Sequence, residues 1–395
     1  MTKETIKKSL SRRKFLTGTA AVAATFTAPM INTGSFEVFA QDGLKYSTRT
    51  ITLMEESLVM DMLSIVQSFR TRENSDDPNF SPDIDDAHYE KLKSTGINVY
   101  HPASGLGGGP QAKERALRFF LYHNARIANR PDRFMRIDSI EDLDAVKSSG
   151  KIGVIIGVQD SEHFYTPDDV NRFYHLGQRV SQLTYNSQNR LGTGSTDRVD
   201  GGITNYGQAI IERMNEVGMA VDVSHSGDQT TLDAMELSSK PVLITHSNSR
   251  VLSNGHPRTK KDEAFVAMAK TGGVVGITGV RMFVRDREPT NMEHLLDHYD
   301  HIRDLIGVEH LGIGSDMDPD GYDDLKPDYL TALKAGYRES YAFRDKLDTD
   351  GFDNPKKIFT LVEGLIGRGY TDAHIRGILG ANFRRALKDI WPANG

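Results

Sequence analysis

The amino-acid sequence predicts an α/β fold, and within that class a (β/α)₈ or TIM barrel. Eight short apolar runs recur along the chain, each ends in polar or glycine residues, and helix-period segments lie between them. Such alternation predicts parallel strands joined by crossover helices, and eight units can close into a barrel. The eight runs are residues 57–63, 96–101, 151–159, 180–185, 219–225, 241–246, 273–278 and 310–316.

Helical periodicity occupies the segments between the strands, and no Gly/Ser linker or low-complexity segment divides the chain after residue 50. We therefore predict a single domain over residues 41–395. An open doubly wound sheet is the alternative, but Gly153 and Gly157 do not form a nucleotide-binding glycine pattern. The clearest helical segments are residues 111–129, 139–148, 206–217, 228–237, 262–270 and 292–306.

The first forty residues predict an export signal. Arg12 and Arg13 precede a weakly apolar stretch over residues 18–28, and Ala40 offers a small residue for cleavage. This pattern is typical of a twin-arginine signal peptide, residues 1–40, cleaved after Ala40. A basic amphipathic helix is the alternative, but the stretch after Lys14 lacks a polar face. We expect the twin-arginine machinery to deliver the protein to the periplasm or another extracytoplasmic space.

Charge and composition exclude several classes of partner. The chain carries a net charge of −6, and residues 1–40 contain six Lys or Arg and two acidic residues, so the mature chain would carry −10. Such a protein is unsuited to nucleic acid. No apolar run reaches the roughly 18 residues of a spanning helix, which predicts no integral membrane segment in the mature chain. Cysteine is absent, so thiolate metal sites are excluded.

Polar residues collect where the predicted strands end, which is where barrels of this kind carry their active sites. Imidazole and carboxylate groups from several strands could converge there on a divalent metal ion. The residues at these ends are Asp61, His101, Gln159, Asp160, Tyr185, Asn186, Asp222, His225, His246, Asp316 and Asp318.

His225 and His246 each follow a buried strand directly, on consecutive strands of the predicted barrel. A lone histidine in such a place is more often structural, but adjacent parallel strands lie only about 4.8 Å apart, so two could share one ion. Asp316 closes the eighth strand, where it could orient or deprotonate a metal-bound water. For Asp318 we expect a turn-capping role.

Arg258 follows the sixth strand in a polar loop with the sequence GHPRT. A guanidinium can bind a carboxylate through two parallel hydrogen bonds, so Arg258 is a candidate for holding a substrate carboxylate. The alternative is a solvated loop arginine.

Several motifs together resemble the renal (membrane) dipeptidase family, peptidase family M19. The resemblance covers most of residues 57–391 and is specific in the C-terminal two-thirds. It rests on the sequences VDVSH at 221–225, THS at 245–247, GIGSDMD at 312–318 and LGANFR at 379–384. The resemblance implies a TIM barrel of the metal-dependent-hydrolase type that cleaves dipeptides at a two-zinc centre.

Four family positions are intact in this chain. By this resemblance, His225 and His246 correspond to two zinc ligands, Asp316 to the catalytic aspartate, and Arg258 to the arginine that binds the substrate carboxylate.

Four other positions depart from the family pattern. The first strand of the family ends in D-G-H-x-D, whereas this chain reads DMLSI, so Leu63 and Ile65 stand at the positions of the histidine and aspartate ligands. Gln159 replaces the bridging glutamate, and Tyr185 stands where the family has a substrate-contacting histidine. These departures predict a reduced site that binds one zinc ion, with Asp316 as a potential third ligand, or none.

Two functional hypotheses follow. One is a metallohydrolase acting on dipeptides or small peptide-like amides. The other is a non-hydrolytic exported protein that binds or matures a small peptide-like metabolite, and a purely structural barrel is disfavoured. The expected partners are a small dipeptide-like substrate or ligand, the export machinery and, as one option, a second copy of the chain in a homodimer.

Overall fold

The computed structural model describes residues 35–37, 45–66, 84–105 and 107–392. The paired arginines and the expected cleavage site lie outside these residues. The chain divides into two compact units, Met1–Arg49 and Thr50–Gly395. In the described part of the first unit, β1 (Ser35–Glu37) pairs antiparallel with β2 (Lys45–Ser47). The boundary of the mature chain at residue 41 remains a prediction.

Short parallel strands form the barrel of the second unit, and they overlap all eight predicted runs. Two of the eight barrel positions contain two consecutive strands separated by a short break. The strands are β3 (Met60–Asp61), β4 (Val99–Tyr100), β5 (Ala103–Ser104), β6 (Phe134–Arg136), β7 (Ile152–Val154), β8 (Ile156–Val158), β9 (Gln178–Gln182), β10 (Ala220–Asp222), β11 (Val242–Leu243), β12 (Val275–Ile277) and β13 (Leu311–Ile313). The sequence does not predict β6, which pairs with β7.

The strands pair in chain order, and the last returns to the first. Parallel pairing runs from β3 to β4/β5, β7/β8, β9, β10 and β11. A bridge between Ile244 and Val275 leads to β12, which pairs with β13. The Met62 amide then donates to the Ile313 carbonyl at 2.9 Å. This closed order confirms the predicted (β/α)₈ barrel.

Helices connect the strands, and three of them coincide with the predicted segments at both ends: α7, α8 and α10. The helices are α1 (Thr48–Glu56), α2 (Asp86–Ser94), α3 (Ala112–Asn129), α4 (Ile140–Ser149), α5 (Pro167–His175), α6 (Asn205–Val217), α7 (Asp228–Leu237), α8 (Asp262–Lys270), α9 (Arg281–Val284), α10 (Met292–Ile306), α11 (Pro327–Ala335), α12 (Lys357–Gly367), α13 (Asp372–Arg376) and α14 (Asn382–Ile390).

Local chemistry explains where individual helices begin and end. At α4, the Ser139 hydroxyl accepts from the Asp142 amide while the Asp142 carboxylate accepts from the Ser139 amide, so both free amide groups are satisfied. The helix ends at Gly150, whose φ of 70° is readily adopted only by glycine.

The end of the barrel at which the strands begin is apolar. Strand residues such as Val99, Val180 and Leu243 form one buried cluster with Phe383 and Leu387 of α14. Burial of these side chains stabilises the barrel by removing apolar surface from water. Among the helices of the described residues, none has the length and apolar character needed to cross a membrane. The polar residues lie at the opposite end, where the strands finish.

Candidate functional site

Two imidazoles face each other at the carboxyl ends of β10 and β11. The Nε2 atoms of His225 and His246 lie 3.0 Å apart, and both side chains are buried. Two nitrogen ligands of one tetrahedral zinc ion, each about 2.1 Å from the metal, lie roughly 3.4 Å apart. The sequence places these two histidines on neighbouring strands, and the structure brings them together.

Hydrogen bonds to the far side of each ring fix the tautomers. Nδ1 of His225 donates to Oδ1 of Asn186 at 2.7 Å. Thr245 donates its hydroxyl proton to Asp222, so its oxygen accepts from Nδ1 of His246 at 2.9 Å. Each ring therefore turns the Nε2 lone pair towards the other. Two facing lone pairs repel unless a proton or a cation lies between them.

Both imidazoles are held in the neutral form. Burial lowers the pKa of His225 and of His246 well below the ordinary value, and the nearby positive charge of Arg258 lowers both further. A neutral imidazole is the form that binds a metal ion.

A third imidazole lies at the end of β4. Nδ1 of His101 bonds to the Met62 carbonyl at 2.6 Å, which leaves Nε2 as a buried acceptor without a partner among the described residues. The ring lies against Gly157, where an added Cβ would come within 2.0 Å of Nε2. The sequence identifies His101 as a strand-end residue but assigns it no role.

Gln159 takes the place that the family resemblance gives to a bridging carboxylate. Its Nε2 donates to the Ala103 carbonyl at 3.0 Å, and its Oε1 is buried without a donor in the described part of the chain. An amide oxygen carries no charge to balance a dication.

At the end of the first strand, apolar side chains occupy the two positions that the family resemblance gives to metal ligands. Leu63 is buried and Ile65 is half-buried, as the sequence suggests for apolar residues on this strand. Asp61 binds the Ser315 amide at 2.8 Å and the Ser315 hydroxyl, so its carboxylate joins the first strand to the segment after β13. Burial raises the pKa of Asp61 to about 6.

Asp316 stands at the mouth in the left-handed backbone conformation, with a φ of 59° that aspartate and asparagine adopt more readily than most other residues except glycine. Its side chain lines a cavity at the end of the barrel. Burial raises the pKa of Asp316 to about 7, although the charge of Arg258 opposes the shift. Asp318 accepts from the amides of Asp320 and Gly321, which confirms its predicted turn-capping role.

Arg258 is fully buried, so the alternative of a solvated loop arginine is wrong. Its guanidinium donates to the Ser224 carbonyl and, at 2.9 Å, to the His246 carbonyl. Its Nε has no hydrogen-bond partner within the described ranges. A buried guanidinium with an unused donor attracts anionic groups.

Tyr185 covers the histidine pair from the side of the cavity. Its ring stacks on His225 with centroids 4.2 Å apart, and its hydroxyl lies 2.7 Å from the hydroxyl of Tyr337. Tyr337, Tyr341 and Asn186 are site residues that sequence reasoning did not assign. Asn186 was visible as a strand-end residue, whereas the tyrosines follow the last strand and carry no periodic signal.

The side chains at this site suit one bound metal ion better than two. Two imidazoles with free Nε2 atoms suit a borderline metal such as zinc, and the orphaned Nε2 of His101 adds a nearby acceptor. However, across the residues that the structure describes, no three His, Cys, Asp or Glu side chains converge closely enough to hold a metal ion. The donor set does not fit a two-zinc centre.

Comparison with known proteins shows to which family the chain is similar. The sequence model of the family described as Membrane dipeptidase (Peptidase family M19) matches residues 49–331. Dipeptidase verJ of Clonostachys rogersoniana is 31% identical over 245 residues, which are 61% of this chain and 56% of the relative. The chain spans about half the length of the curated relatives it matches.

Solved structures show the same fold. A Pseudomonas aeruginosa structure described as an amidohydrolase superposes with a TM-score of 0.73 and 27% identity, covering 87% of this chain and 99% of that one. The probable dipeptidase PvdM of Pseudomonas aeruginosa gives a TM-score of 0.70 at 19% identity, with coverage of 86% and 97%. The second likeness is evidence for the fold alone.

Proposed function

Because the chain belongs to the membrane dipeptidase family, peptidase family M19, we propose that it is an exported hydrolase of dipeptides or small peptide-like amides with a reduced metal site. The observation that carries this proposal is the pair of imidazoles whose Nε2 atoms lie 3.0 Å apart, which burial and the charge of Arg258 keep neutral. His225 and His246 hold at most one zinc ion, and the positions of Leu63, Ile65 and Gln159 no longer support a second.

Each remaining polar group has a role in this proposal. A bound zinc ion would polarise the substrate carbonyl and acidify a water molecule. Asp316 accepts a proton from the attacking water, since a carboxylate with a pKa of about 7 can both take up and release a proton near neutrality. The buried charge of Arg258 attracts the substrate carboxylate, and Tyr185 contacts the substrate beside His225.

Export by the twin-arginine route is part of the same proposal. Support comes from the paired Arg12 and Arg13 and from the absence of cysteine, because a protein that crosses a membrane folded need not wait for disulfides. We propose a periplasmic or other extracytoplasmic location. A homodimer is one option within this proposal.

A hydrolysis assay with metal analysis tests the proposal. The purified mature protein is incubated with a panel of L,L and L,D dipeptides, with and without added zinc, and its bound metal is counted. We expect slow, zinc-dependent cleavage and no more than one equivalent of zinc. Rapid cleavage with two bound zinc ions would contradict the reduced site.

The replaced ligand positions support a second candidate function, in which the site binds or matures a peptide-like metabolite without hydrolysing it. Its distinguishing result is reversible binding of dipeptides that are recovered intact after prolonged incubation with zinc.

A further inference from the structure

Six aromatic side chains line one cavity at the mouth of the barrel, together with Asp316. We call them the aromatic wall: Tyr185, Phe283, Tyr322, Tyr337, Tyr341 and Phe343. Aliphatic side chains complete the lining, among them Leu333 and Leu347. The cavity has a volume of about 50 Å³. This is space for a few water molecules, and so for one group of side-chain size, since each water needs roughly 10–15 Å³ of such volume.

The rings form one continuous surface. Tyr337 lies 4.6 Å from Tyr341 and 5.1 Å from Phe343, measured between ring centroids. Tyr341 in turn lies 5.7 Å from Phe283 in an edge-to-face arrangement. Ring centroids at these separations interact favourably. The contacts between the rings therefore hold the aromatic wall in place before a ligand enters.

Most of the wall comes from the segment that follows the last barrel strand. Tyr322, Tyr337, Tyr341 and Phe343 all lie after β13, near or beyond α11. Tyr341 is buried, whereas Tyr322, Tyr337 and Phe343 remain half-buried. These rings leave apolar surface facing the cavity, and apolar surface of this kind favours an apolar ligand group.

The wall is continuous with the candidate active site through Tyr185. That ring stacks on His225 on one side, and its hydroxyl bonds to that of Tyr337 on the other. Asp316 lines the same cavity. A molecule whose reacting bond lies between the histidine pair and Asp316 therefore places a neighbouring substituent against the rings.

We infer that the aromatic wall is a binding subsite for a bulky apolar or aromatic side chain of a peptide-like amide. This inference rests on the proposed function, because it takes the histidine pair and Asp316 as the place of the reacting bond. It names a substrate class that the intact family motifs leave open. Small dipeptides such as Ala-Ala fill the subsite poorly, and those with a phenylalanine-like side chain fill it well.

The test measures binding and does not need turnover. Two phosphinate analogues, of Ala-Ala and of Ala-Phe, carry a tetrahedral phosphorus in place of the peptide carbonyl carbon and cannot be hydrolysed. Isothermal titration of the full mature protein with each analogue gives their dissociation constants. We expect the analogue with the benzyl group to bind at least tenfold more tightly, because a hydrophobic pocket gains 10-fold or more from a well-buried group.

Variants of the wall separate binding from folding. Tyr337→Ala should remove most of the preference for the benzyl analogue, whereas Tyr337→Phe keeps the ring and should retain it. Phe343→Ala is a second test in case Tyr337→Ala does not fold. Tyr329→Ala is the matched control, since Tyr329 lies on α11 outside the cavity lining.

Equal affinity of the native protein for the two analogues would overturn the inference, and so would an unchanged preference in folded Tyr337→Ala and Phe343→Ala proteins. The inference would also be overturned if neither analogue bound. If the protein binds the benzyl analogue more tightly but does not hydrolyse dipeptides, the catalytic proposal is rejected and the binding subsite is retained.

Discussion

Nδ1 of His101 lies 2.6 Å from the backbone carbonyl of Met62, the residue immediately before Leu63. The second strand of the barrel thus contacts the first at the point where the family resemblance places a histidine ligand and this chain has leucine. The contact orients the His101 ring and leaves its Nε2 free of partners among the described residues. In this way an imidazole remains near a position whose own ligand has been lost.

The triple substitution Leu63→His, Ile65→Asp and Gln159→Glu should increase zinc uptake. It restores the ligand types that the family carries at these positions, including the carboxylate that offsets the charge of the cation. Each single substitution should do little, because a site that still lacks a ligand gains affinity only in part. Metal analysis after dialysis compares the native protein with the triple variant and the three single variants, and equal zinc content in all five would contradict the assignment of the lost ligands.

His246→Ala should abolish whatever zinc binding the native chain has. Removal of one of the two facing imidazoles breaks the pair and leaves too few ligands to retain the ion. Titration with zinc measures the effect. His175→Ala is the control, since His175 is exposed on α5, and it should bind zinc like the native chain. Retention of full affinity in His246→Ala would place the metal elsewhere.

Hydrolysis should depend on the ionisation of Asp316. Since burial raises its pKa to about 7, the rate should fall about tenfold per pH unit below 7 and level off above it. Asp316→Asn should lower kcat by at least about 100-fold and remove this pH dependence. Asparagine tolerates the φ of 59°, so the variant should fold. The test is to measure the hydrolysis rate of both proteins as a function of pH. If Asp316→Asn keeps the inflection near pH 7, the proton transfer belongs to another group.

His298 should make the protein less stable in mild acid. Its Nδ1 accepts from the Ser249 amide and its Nε2 donates to the Val284 carbonyl, which requires a neutral ring, and burial lowers its pKa to about 4. As pH falls from 6.5 towards 4, the His298 imidazole becomes protonated in the unfolded chain but stays neutral in the folded one. The free energy of unfolding therefore decreases, by on the order of 3 kcal/mol from this group.

His298→Gln should flatten that part of the pH dependence, since the amide can donate and accept but does not titrate. Urea unfolding at pH 7 and pH 5 measures the difference for the native chain and the variant. His175→Gln, on the surface, should leave the difference unchanged. An identical loss of stability in His298→Gln would show that His298 is not its source.

Replacement of Arg12 and Arg13 by lysine should retain the protein in the cytoplasm, because the twin-arginine route recognises the arginine pair and not merely its charge. Cell fractionation measures the distribution. Substitution of Lys7 and Lys8 by arginine changes neighbouring basic residues and should leave export intact. Normal export of the Arg12/Arg13 variant would reject the signal assignment.

The sequence by itself determined the barrel and much of its connectivity. Periodic burial is a local property, so alternating apolar and helical segments such as 228–237 and 262–270 were predicted to the residue. The strand ends were equally visible, because parallel strands in a barrel finish at one mouth. His225, His246 and Asp316 could therefore be assigned to a common site before any distance was known.

Only the tertiary structure decided how these residues are oriented and what surrounds them. The tautomers of His225 and His246 depend on Asn186 and Thr245, and the burial of Arg258 depends on two carbonyl groups from other strands. Most of the aromatic wall comes from an irregular segment after the last strand, where no periodic pattern exists to predict it. Such contacts arise from long-range packing, and the local pattern of a sequence does not encode which distant side chains will meet.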